Sequence, residues 1–169
     1  MPIQVLTCSP GVGWATTVGA SRAIAVALPN DEETSYVAGT GLAVFTADVS
    51  NPSLAGVTVT NVQVVTRGRT VGIIDNMLVE ASIDGFTTTS SHLHPFDTTY
   101  SDISLSMLTK PGGGAWAIGD IDNLQVRVTT PDITEGRITT LYVNVHYESA
   151  SGRRNNAALG HVGVLEFWD

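Results

Sequence analysis

The chain has 169 residues, 43% of them hydrophobic and 14% charged, which is enough to build one compact domain without a metal or a disulfide. Sixteen Asp and Glu against eight Lys and Arg, a formal net charge of −8, repel a phosphate backbone, so nucleic acid is not an expected partner. Twenty-one Thr and 20 Val against a single Lys favour strands and exclude an all-helical fold.

The opening residues Met1-Pro2-Ile3-Gln4 lack the basic region of an export signal, and the longest apolar run, residues 23–28, is far shorter than a membrane span. A soluble chain with no membrane partner is the expectation. Residues 1–20 read as an N-terminal arm, although residues 3–6 have strand character. Cys8, the only cysteine, reads as a small buried apolar residue. Gly11-Val12-Gly13 reads as a turn, because no strand-loop-helix context follows it. Short strands are expected over residues 23–28, 35–38 and 42–47, and Asp31-Glu32-Glu33 reads as a solvated acidic turn.

From Val57 to Thr66, Val57, Val59, Asn61, Gln63 and Val65 alternate against Thr58, Thr60, Val62, Val64 and Thr66, a period of two that reads as a strand. Arg67-Gly68-Arg69 is expected to interrupt it, with extended chain resuming over residues 70–74 and a second alternation over 77–84. Two long antiparallel strands, with a bulge, are the expectation, closed by a turn at Asp84-Gly85. Residues 103–108 and 125–129 read as further strands. Residues 116–124 carry the one helical signal, a single turn that places Ile121 and Leu124 on one side. Residues 137–148 read as a long central strand, and residues 162–168 as a last short one after the polar stretch 150–158.

Eight to ten short strands with turn signals between them point to an all-β fold, an antiparallel β-sandwich of jelly-roll type with one short helical turn and extended terminal arms. The expected domain spans residues 21–148, with arms at 1–20 and 149–169. Trp116 is expected to anchor the core. A sugar-stacking surface is the sharper alternative for Trp116. Trp14, Phe167 and Trp168 lie near the chain ends, where large apolar side chains suggest contact with a partner.

Candidate chemistry is sparse. The Gly-x-Ser-x-Gly nucleophile motif is absent, and Ser91, His92 and Asp97 lie close in sequence, which is no evidence of a triad. His92 and His94, two apart, point the same way from extended chain and could ligate a metal with Asp97 or Asp102. The preferred reading of this segment is a polar loop tip ending at Pro95. Asp120 and Asp122 imitate the start of a calcium loop, but Leu124 stands where a third oxygen is needed, so helix capping by Asp120 is preferred. No enzyme, metal or cofactor is expected.

Three segments carry a resemblance. They are Pro29 to Val37, with its acidic turn entering a Tyr-bearing strand; Val57 to Val64 followed by Thr70 to Asp84; and Lys110-Pro111-Gly112-Gly113-Gly114-Ala115-Trp116 followed by Asp120 to Val128 and Arg137 to Val145. In that order, over residues 30–147, they resemble jelly-roll virion structural proteins of tailed phages. Arg127 stands where the third pattern has Gly. The resemblance implies a non-enzymatic capsid cement or decoration protein: a homotrimer on the outer capsid surface that binds the major capsid protein and stabilises the shell. The alternative is a carbohydrate- or receptor-binding module of a phage tail or fibre, with Trp116 or Tyr100 as the stacking residue.

Overall fold

The computed structural model describes residues 1–10, 15–18, 36–130, 132 and 134–149. Its strands are β1 (Ile3–Pro10), β2 (Ala15–Val18), β3 (Tyr36–Gly39), β4 (Val44–Val49), β5 (Val57–Thr70), β6 (Asp75–Ser82), β7 (Ser90–Phe96), β8 (Ser101–Met107), β9 (Gln125–Thr129) and β10 (Gly136–Ser149). A single helical turn, α1 (Ile118–Ile121), separates β8 from β9.

The antiparallel pairs are nested: β6 with β7, β5 with β8, β4 with β9, and β3 with β10. A long hairpin rolled up in this way splits into two sheets. The back sheet has the order β3-β10-β5-β8, and the front sheet β4-β9-β6-β7. This is the jelly roll. The expected all-β sandwich is therefore the observed fold.

Residues 3–10, expected within an arm, belong to the sandwich. Residues 3–7 of β1 pair with β10, and residues 8–10 turn the corner to pair with β4. The physical reason is that Leu6 and Cys8 face inward and are buried there, while Ile3 and Val5 face out. Burial pushes the Cys8 thiol up to about 12. Residues 15–18 form β2 against β3. The expected strands at 23–28 and 162–168, and most of the expected C-terminal arm, lie outside the described residues.

Three expectations are corrected inside the sandwich. First, β5 is not interrupted at Arg67-Gly68-Arg69 but runs through it for 14 residues. Gly68 faces the core where a Cβ would stand 2.6 Å from the Arg137 carbonyl oxygen and 2.9 Å from the Phe96 ring, so only a residue without a side chain fits. Second, β5 and β6 do not pair with each other. Residues 71–74 carry the chain from the back sheet to the front one, because the inward residues of both strands need opposite walls of the same core. Third, the unbroken period of two read over residues 57–66 is interrupted: a register shift near Thr60 puts Val59 inside and then Val62, Val64 and Thr66.

The core between the sheets is filled by Phe45, Met77, Phe96, Val126, Val128, Leu141 and Val143, all 2% exposed or less. Trp116 lies in the same cluster, and its indole Nε1–H donates to the Met107 carbonyl at 3.0 Å. The sequence before it explains how it arrives there. Gly112, Gly113 and Gly114 all take positive φ (+83°, +94°, +86°), a path that L side chains resist, and this reverses the chain so that Trp116 turns inward. Among the described residues no helix is long and apolar enough to cross a membrane.

Candidate functional site

On the front sheet the register aligns Asp48 of β4, Gln125 of β9 and Ser82 of β6 in one row, at the end of the sheet. Beyond that row the chain leaves the sheet in two places, the 83–89 loop after β6 and the turn after α1. Together they wall a cleft of about 360 Å³, whose polar lining comes from Asp48, Asn51, Asp122, Asn123 and Gln125, with Gly85 on the facing wall.

Each wall is rigid for an identifiable reason. In α1 the Asp120 carboxylate accepts the Ala117 N–H at 2.8 Å, which satisfies an otherwise orphaned donor of the first turn. The Lys110 ammonium holds the same carboxylate at 3.1 and 3.2 Å. Ile121 and Leu124 are buried beneath, as their spacing predicted. Asn123 donates its side-chain N–H to the Gly119 carbonyl at 3.0 Å, leaving its amide oxygen as an acceptor for a ligand.

The opposite wall is organised by Ser82, which is fully buried. Its hydroxyl oxygen accepts the N–H of Asp84 at 3.2 Å and of Phe86 at 2.9 Å, and its O–H donates to Asp84 Oδ1 at 2.7 Å. Asp84 Oδ1 also accepts the Thr88 N–H at 2.9 Å. That backbone hydrogen bond, followed by the Ser82 hydroxyl, holds the Asp84 carboxyl below its ordinary pKa. These bonds keep Phe86 at φ +67°, a conformation that costs a non-glycine residue roughly 1–3 kcal/mol. The Phe86 ring is thereby placed 4.3 Å from the Arg127 guanidinium carbon.

Arg127, the residue that departs from the phage pattern, lies on the outer face of β9 next to this wall. Its Nε donates to Glu80 Oε2 at 2.7 Å, and this bond raises the guanidinium pKa above its ordinary value. On the floor of the cleft, Gln125 Nε2 donates to Asp48 Oδ1 at 2.8 Å. The lining therefore combines carboxylates and amides, a set that takes hydroxyl and amide hydrogens from a neutral polar ligand and offers N–H in return.

The residues singled out in the sequence are distributed otherwise. The segment of His92 and His94, read as a polar loop tip ending at Pro95, lies in the edge strand β7. Its polar composition and Pro95 suit an edge, where one side of the backbone has no partner strand. Ser91 and His92, as neighbours in a strand, point to opposite faces, while Asp97 Oδ1 accepts the Thr98 N–H at 2.6 Å, so the three form no triad. Asp102 pairs with Arg67 at 3.2 Å. No group of three or more His, Cys, Asp or Glu is arranged to hold a metal among the described residues. His92 and His94 do share a face, with Nε2 and Nδ1 3.1 Å apart. Asp120 caps α1, as its position suggested.

Trp116, being buried, cannot present a ring to a sugar, and Tyr100 is half-buried with the Arg69 guanidinium 5.2 Å from its ring centre. Trp14, Phe167 and Trp168, the candidate partner contacts, and the Asp31-Glu32-Glu33 turn lie outside the described residues. Sequence reasoning missed the cleft because Asp48, Asn51, Gln125 and Gly85 come from three separate segments. The one signal available was Asp84-Gly85 followed by a run of Thr, a turn rich in side chains that bond their own backbone.

No protein-family model matches the chain, and no curated protein matches it. Among solved structures, the chain is similar to the enzymatically active domain of tailspike protein 4 of bacteriophage CBA120, with a TM-score of 0.45, 11% identity and 86% of this chain covered. It spans only 19% of that domain. It is similar to the CBM22-1 xylan-binding domain of Paenibacillus barcinonensis (TM-score 0.46, 10% identity, 82% of this chain and 85% of that one). A family 11 carbohydrate-binding module of Clostridium thermocellum, in complex with a mixed-linked tetrasaccharide, gives a TM-score of 0.46 at 10% identity, covering 82% of this chain and 87% of that one.

Proposed function

We propose that the chain is a non-enzymatic binding module that holds a glycan in the cleft at the end of the front sheet, and that it works as the carbohydrate- or receptor-binding part of a phage tail or fibre. The observation that carries the first half is the cleft itself: carboxylates and amides on its floor and on the wall after α1, facing the 83–89 loop that internal hydrogen bonds hold in shape. A sugar offers hydroxyls that both donate and accept, and a lining ordered in advance loses little side-chain entropy when it engages them. The phage setting rests on the sequence resemblance over residues 30–147.

The measurement is a glycan array with the purified chain, followed by titration of the best ligand. Gln125→Ala and Asn123→Ala, both at the surface of the cleft, are expected to weaken binding by about tenfold each, the effect of losing one or two hydrogen bonds. Absence of any glycan binding, or binding that survives both substitutions together, would remove this reading.

A second reading, the trimeric capsid cement protein, is favoured by one observation. Across the outer face of the front sheet the register aligns Val44, Thr129, Leu78 and Leu93, and the two edge positions, Val44 and Leu93, are 42% and 62% exposed. Such a strip suits a shell protein as its partner. Cryo-microscopy of the parent particle separates the readings: density at the tail supports the glycan module, and density over the capsid lattice supports cement.

A further inference from the structure

His92 and His94 lie two apart on β7, so their side chains leave the same face of the strand, opposite Val79 and Met77 of β6. The His94 ring stands edge-on to the buried Phe96 ring at 6.0 Å between centroids. That contact holds His94 in place, and its partner His92 is exposed at the rim. The two imidazoles are tilted by 31°, with centroids 5.2 Å apart, and His92 Nε2 meets His94 Nδ1 at 3.1 Å. With both rings neutral, one proton must lie between these nitrogens, since two lone pairs at this distance repel.

We propose that His92 and His94 form a two-point chelate for a late first-row divalent metal ion, which takes the place of the proton the rings share. The geometry is the argument. Two nitrogens bound to one metal at 2.0–2.1 Å, at angles between square and tetrahedral, stand about 2.8–3.4 Å apart, and the observed separation falls inside that window. Little backbone movement is needed, because both ligands already project from one regular strand, and small ring rotations turn the lone pairs toward a common point. Neutral imidazole is the ligating form, and both burial and the neighbouring His92 disfavour the charged form of His94.

Among the described residues no third His, Cys, Asp or Glu joins the pair. Water or an external donor completes the coordination shell, and the site binds Cu²⁺ more tightly than Ni²⁺ or Zn²⁺, following the general order for nitrogen ligands. β7 is the last strand of its sheet, so no strand pairs with its outer edge.

The test is calorimetric titration of the full chain with CuCl2, with the electron paramagnetic resonance spectrum of the copper recorded alongside. One equivalent bound, with hyperfine splitting from two nitrogens, is the expected result. His92→Gln is expected to raise the Kd at least tenfold and to leave one nitrogen in the spectrum, while His146→Gln changes neither. Because His92 is exposed, its substitution tests the proposal even if His94→Gln disturbs packing against Phe96. Copper binding unchanged in His92→Gln, a spectrum without two nitrogens, or no binding up to millimolar CuCl2 would each overturn it.

Discussion

The β5–β10 pair and the loop over residues 82–88 are both rigid, and they reach rigidity by opposite means. β5 and β10 run side by side from Gly136 opposite Thr70 to Ser149 opposite Val57, joined by backbone ladders that depend on side chains only for which face points inward. The loop has no ladder. It depends on one buried hydroxyl, that of Ser82, which collects two backbone N–H groups and orients Asp84. A ladder distributes its stability over many equivalent bonds, whereas a hub concentrates it in one atom, so the first tolerates most substitutions and the second fails at a single position.

The largest expected effect comes from attacking the pair at its one intolerant point. Gly68→Ala places a methyl 2.6 Å from the Arg137 carbonyl oxygen and 2.9 Å from Phe96. The backbone oxygen cannot yield as a flexible side chain would. A loss of about 3 kcal/mol is expected, lowering the melting temperature by about 6–12 °C. Glycan affinity of the folded fraction should be unchanged, since Gly68 is in the other sheet; a parallel loss of affinity would show that the two regions are coupled.

Ser82→Ala attacks the hub. Two backbone N–H groups lose their acceptor in a part-buried place, for an expected cost of about 2 kcal/mol. Here the cleft should suffer more than the fold: with Phe86 released from its positive φ, glycan binding is expected to fall by more than the global stability implies. Urea unfolding read against ligand titration distinguishes these outcomes, and equal affinity in the variant would mean that the loop is not part of the site.

The smallest effect is a dependence on acid. The Asp84 pKa is lowered in the folded chain, so the folded state holds fewer protons on this group than the unfolded chain does. Its contribution to stability is therefore complete above the unfolded value of about 4 and fades as pH falls through the folded value. Urea midpoints measured between pH 2 and pH 5 should drop more steeply for the natural chain than for Asp84→Asn. Because Asp84 is at the surface, the difference is small, and identical slopes would contradict it.

Several elements were legible because their cause is local. β9 spans the residues its alternation marked, 125–129, and α1 lies within the expected helical segment with Ile121 and Leu124 buried. Others were illegible because their cause is distant. Nothing near Gly68 in sequence says that Phe96 will lie against it, so its glycine looked like a break. β7 looked like a loop because an edge strand buries too little to show an apolar period. The cleft was hidden for a related reason: Asp48, Asp122 and Gln125 are separated by up to 77 positions and meet only when β4 pairs with β9.

The amino-acid sequence by itself determined the fold class, the acidic character that disfavours nucleic acid, and where most strands run, because periodicity and composition act within a few residues. Only the tertiary structure decided which strands pair, that β1 belongs to the sandwich, and where a ligand has room. Those outcomes depend on which surfaces meet across the core, and such meetings are settled by the packing of the whole chain.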